Sequence, residues 1–159
     1  CHLARRGFAV RVLDPAGEVL RVGTMPVDGI SGAEAEGPLL DLFAMVEPRT
    51  DRDSRLHDPS VRSRMGDGLV VAVVGRLDRP TAQSLASVRT GTATALAVVL
   101  DTATWTGQRG HADGDSADQT LSLLRAAGWR CTLGTPQTDL REAWVMLGRA
   151  PNSAAGAAR

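Results

Sequence analysis

Two stretches of the chain are apolar at every position. Leu69-Val70-Val71-Ala72-Val73-Val74 and Ala95-Leu96-Ala97-Val98-Val99-Leu100 carry no charge and are rich in valine. A continuous apolar run of this length predicts a strand covered on both faces, as in a parallel sheet. Trp129-Arg130-Cys131-Thr132-Leu133 predicts a third, shorter strand. Between these runs the pattern changes to that of helices. Asp78 is a natural N-cap, with Pro80 in the first turn of a helix reaching Val88. Ser116 caps a helix over 117–127, with Leu121, Leu123 and Leu124 on or near its buried face and Gly128 as its C-cap. Thr138 opens a last helix through Leu147, which Gly148 is expected to end.

The N-terminal third is less regular. Cys1-His2-Leu3-Ala4-Arg5-Arg6-Gly7 reads as the last turn of a helix and its glycine cap, too short to be a whole helix. The chain is therefore expected to start partway through that helix. Phe8–Leu13 and Val19–Val22 read as strands joined by the turn Asp14-Pro15-Ala16-Gly17, which predicts an antiparallel hairpin at 8–22. Residues 24–37 read as loop, and Leu39–Val46 as a helix stopped by Pro48. The stretch 49–66 alternates Arg and Asp and reads as a solvated loop with a short helical turn near Val61–Met65. Strands separated by helices imply right-handed crossovers, so the fold class is α/β with a mostly parallel three-layer sheet. The expected organisation is one domain over 1–148 and a flexible tail over 149–159.

Composition narrows the function more than it names it. The chain has 159 residues, 18 basic and 18 acidic, so no basic excess points to nucleic acid or an anionic membrane. All the basic residues are Arg; Lys and Tyr are absent. That skew fits a GC-rich genome, such as an actinobacterial one, and warns against reading Arg content as function. No apolar run reaches the roughly 18 residues needed to span a bilayer. Cys1 and Cys131 form no C-x-x-C pair. Reduced thiols are expected, and the sequence leaves a Cys1–Cys131 disulfide open.

Motifs for catalysis are missing. No G-x-G-x-x-G follows a strand, no G-x-S-x-G is present, and the absence of Lys excludes a phosphate-binding G-x-x-x-x-G-K-[ST] loop. His2, His57 and His111 are far apart in the sequence, and a solvated role is expected for each. The His111–Asp115 segment lacks the spacing of a calcium loop. No cofactor and no metal are expected. In parallel α/β sheets ligands sit beyond the carboxyl ends of the strands. Candidate binding-face residues there are Asp14, Gly75, Arg76, Asp78, Asp101, Thr102 and Trp105. The favoured reading is that Asp78 caps its helix and that Asp101 and Thr102 satisfy nearby backbone N–H groups; Trp105 reads equally as a partner contact or as a side chain folded back onto the sheet edge. Trp129 and Trp144 are expected in the core.

Several phrases resemble a bacterial family called domain of unknown function 58. They are His2–Leu13, Gly68–Leu77, Ala97-Val98-Val99-Leu100-Asp101-Thr102 and Leu124-Arg125-Ala126-Ala127-Gly128-Trp129. The resemblance covers roughly residues 1–147 and implies a von Willebrand factor A-like, Rossmann-like fold. It implies a cytoplasmic domain tethered to the inner membrane through an N-terminal part of its parent, and a MoxR-type ATPase as partner. No enzymatic activity is established for that family. The resemblance also implies a central first strand between Phe8–Leu13 and Leu69–Val74, which this chain is expected to lack. Metal-binding von Willebrand A domains carry D-x-S-x-S; this chain has none, and Arg76 is a poor neighbour for a cation. The favoured function is a non-enzymatic protein-interaction or assembly module. The alternative is a small hydrolase-like α/β enzyme using Asp101 with Asp78 or His111.

Overall fold

The computed structural model describes residues 2–14, 16–22, 25–26, 28–45, 56, 58–59, 61, 63, 68–89, 92–106 and 116–149. The chain forms two compact units, Cys1–Leu56 and His57–Arg159.

The first unit begins with α1 (His2–Arg5). Gly7 sits at φ +85°, Gly7 N–H donates to Ala4 C=O at 2.9 Å and Phe8 N–H to Leu3 C=O at 3.1 Å. This pair of bonds is the Schellman arrangement that the Arg-Arg-Gly pattern predicts. The hairpin expected at 8–22 is not a continuous ladder. Leu13 and Val19 form an isolated antiparallel bridge, but Val10 bridges Ile30 instead. The 8–13 segment is thus divided between two partners. The ladder that does form joins β1 (Arg21–Val22) and β2 (Met25–Pro26), and Pro26 has no N–H with which to extend it. A 3-10 turn (Ala33–Ala35) leads into α2 (Glu36–Met45). This helix starts three residues before the predicted Leu39, because Gly37 and Pro38 fall in a first turn where missing or unbonded N–H groups cost little. Ala4, Ala35, Leu39 and Leu42 form the core, with Val10, Val12, Leu20 and Ile30 against it. Arg5 pairs with Glu36, and Arg11 with Asp28 at 2.6 Å.

The second unit is built on β3 (Leu69–Val74), β4 (Thr94–Leu100) and β5 (Arg130–Gly134), all parallel, in the order β3-β4-β5. Its helices are α3 (Arg79–Ser87), α4 (Thr102–Thr106), α5 (Ala117–Ala126) and α6 (Leu140–Arg149). The predicted strands and capped helices are present here. Asp78 Oδ1 accepts from Thr81 N–H at 2.9 Å and starts α3. Ser116 and Gln119 form a reciprocal capping box at the start of α5. Its end is a second Schellman arrangement: Trp129 N–H donates to Leu124 C=O at 3.0 Å and Gly128 N–H to Arg125 C=O at 2.9 Å. Gly128 has φ +83°, a conformation that strains an L side chain; a Cβ there would also lie 2.9 Å from Arg89 Nη1, the end of a flexible side chain that can move aside.

Two details of α6 differ from expectation. The helix starts after Asp139, whose Oδ1 accepts from Arg141 N–H at 2.8 Å, while Thr138 Oγ1 accepts from Thr135 N–H at 2.9 Å. Gly148 lies inside the helix rather than ending it. Leu147 is buried against Leu96 and Val98 and holds that turn in place. Trp144, expected in the core, is exposed. Ala143 and Leu147 occupy the inward side of α6, and Trp144 lies about 100° round the helix from Ala143. Trp129 is buried as expected, and its Nε1–H donates to Ala86 C=O at 3.3 Å. The helical turn expected near 61–65 lies mostly outside the described residues, although Val61 is buried.

Candidate functional site

The carboxyl ends of the three parallel strands carry most of the predicted residues. Asp101 N–H donates to Gly134 C=O at 2.9 Å, which ties the end of β4 to the end of β5. Asp101 C=O accepts from Thr104 N–H at 3.1 Å and from Thr104 Oγ1 at 2.7 Å, so its main chain opens α4. A Cβ on Gly75 would lie 3.3 Å from Thr102 Cγ2, so the end of β3 meets the start of α4. Gly75, Asp101 and Thr102 are therefore brought together. Arg76 is exposed at the same end, and Trp105 is exposed on α4. Asp78 is engaged in capping α3. Asp14 is placed elsewhere. It is buried in the first unit, where its Oδ1 accepts from Glu18 N–H at 2.9 Å and its C=O from Gly17 N–H at 2.9 Å. It closes a turn, which is where its Asp-Pro-x-Gly context places it.

Sequence reasoning missed two threonine features. Thr135 and Thr138, just after β5, have their Oγ1 atoms 3.0 Å apart; Thr-Pro-x-Thr after a strand is the signal that could have found them. Thr120 is buried on α5, and its Oγ1 accepts from Leu77 N–H at 3.4 Å. A position among leucines on an amphipathic helix gave no signal for it. His2 is exposed on α1, while His57 and His111 lie outside the described residues. Among the described residues no three His, Cys, Asp or Glu side chains gather where they could hold a metal ion. No described helix is long and apolar enough to cross a membrane. Cys131 carries a free thiol.

A cleft of about 500 Å³ lies between the first turns of α3 and α5, lined in part by Leu77, Arg79, Ala82, Asp118, Gln119 and Leu123. Its helix starts offer little to an anion. Thr81 N–H is taken by Asp78 and Gln119 N–H by Ser116, and the Asp118 carboxylate on the rim would repel negative charge.

The largest departure from an ordinary α/β layer is on β3. Side chains alternate across a strand, and residues in register on parallel neighbours share a face. Val71 pairs with Leu96 and Val73 with Val98. Leu96 and Val98 are the residues that pack against Leu147 of α6. Leu69, Val71 and Val73 therefore project from the α6 side of the sheet. Over β4 that side is closed, with Leu96 at 5% and Val98 at 9% exposure. Over β3 it is open: Leu69 is 39%, Val71 38% and Val73 65% exposed. On the opposite side Val70, Ala72 and Val74 are half-buried. β3 also has β4 as its one ladder neighbour among the described residues. An all-parallel sheet is normally covered on both faces. An uncharged edge strand with an uncovered apolar stripe is the feature that association relieves.

Set against protein-family models, curated proteins and solved structures, the chain matches none.

Proposed function

We propose that this chain is a non-enzymatic protein-interaction module whose working surface is β3. The observation that carries the reading is the uncovered stripe Leu69, Val71 and Val73 beside the closed stripe Leu96 and Val98. Burying a valine or leucine contributes about 1.5–3 kcal/mol relative to leaving it in water. A strand that leaves three such residues open has that stabilisation available for a partner. The finer reading is a von Willebrand A-like domain of a membrane-associated bacterial assembly, with a MoxR-type ATPase as the partner. Its support is the order of elements and the resemblance of 68–77 and 97–102 to the family called domain of unknown function 58.

The test is a photo-crosslinking amino acid placed at position 73, with position 83 on α3 as an exposed control. In cells making the chain, irradiation is expected to yield a covalent protein adduct from position 73 and none from position 83. The adduct is expected to vanish when Val71→Lys is added. Equal yields from the two positions, or none from 73, would overturn the reading.

A further inference from the structure

We draw no further inference here: the strongest candidate, the cleft of about 500 Å³ between the first turns of α3 and α5, selects no class of ligand, because its rim carries Arg79 and Asp118, of opposite charge, and its buried hydroxyl, on Thr120, already accepts from Leu77 N–H.

Discussion

Cys131 shows how one residue's chemistry follows from its place in the sheet. It lies on β5 in register with Ala97, on the side of the sheet opposite α6. Burial pushes its thiol up from 9.0 to about 11, and the positive charge of Arg125 only partly opposes this. The thiolate is the reactive form, so at neutral pH Cys131 is expected to react with Ellman's reagent about a hundredfold more slowly than an exposed cysteine. Rapid stoichiometric labelling of the folded chain would contradict this. The same shift has a consequence for stability. A pKa raised on folding favours the folded state fully below the unfolded value near 9 and loses that effect as pH rises through about 11. With Lys and Tyr absent, few other groups titrate in that window. Urea midpoints measured between pH 9 and 11 are expected to fall in the natural chain and to fall less in Cys131→Ala.

Among the elements, β3 and β4 have nearly the same composition and different fates. Among the described residues β4 has a neighbour on each edge and is buried from Ala95 to Val99, while β3 has one neighbour and an exposed stripe. Substitutions should follow the environment rather than the residue type. Val73→Lys is expected to change stability by no more than about 0.5 kcal/mol, as for other exposed positions. Leu124→Ala, at a fully buried position on α5, is expected to cost about 2–5 kcal/mol. Ser116→Ala removes one half of the α5 capping box and is expected to cost about 1 kcal/mol. Urea melts of the three variants check the order. A Val73→Lys variant as unstable as Leu124→Ala would show that β3 is covered after all.

In the molecule as a whole, each of the two units has its own buried residues, with Leu39 and Leu42 in the first and Leu85, Leu121 and Leu124 in the second. The chemistry that would make it a metal-dependent receptor is thin. The sequence lacks D-x-S-x-S, and Arg76 stands at the carboxyl end of β3. Titration calorimetry with Mg²⁺ or Ca²⁺ is expected to show no stoichiometric binding tighter than about millimolar, the weak end of protein calcium sites.

What could be read from the sequence alone was local. The runs 69–74 and 95–100 read as strands because six consecutive apolar residues between turn signals are short for a buried helix and are rich in β-branched valine. Asp78 and Ser116 cap helices because each side chain reaches a backbone N–H three residues along its own chain. Gly7 and Gly128 end helices because they adopt positive φ freely. What only the tertiary structure decided was which segments meet. Nothing local distinguishes the edge strand β3 from the central strand β4, because the number of neighbours depends on segments distant along the chain. Val10 takes Ile30 as its partner in place of a residue across the predicted hairpin. Trp144 is outside and Asp14 inside, against their usual tendencies, because burial depends on what lies opposite a residue as well as on its own side chain. The open stripe on β3 could not be read from its residues for the same reason: six apolar positions predict coverage, and only the arrangement of α6 over β4 and β5 shows that one side of the strand lacks it.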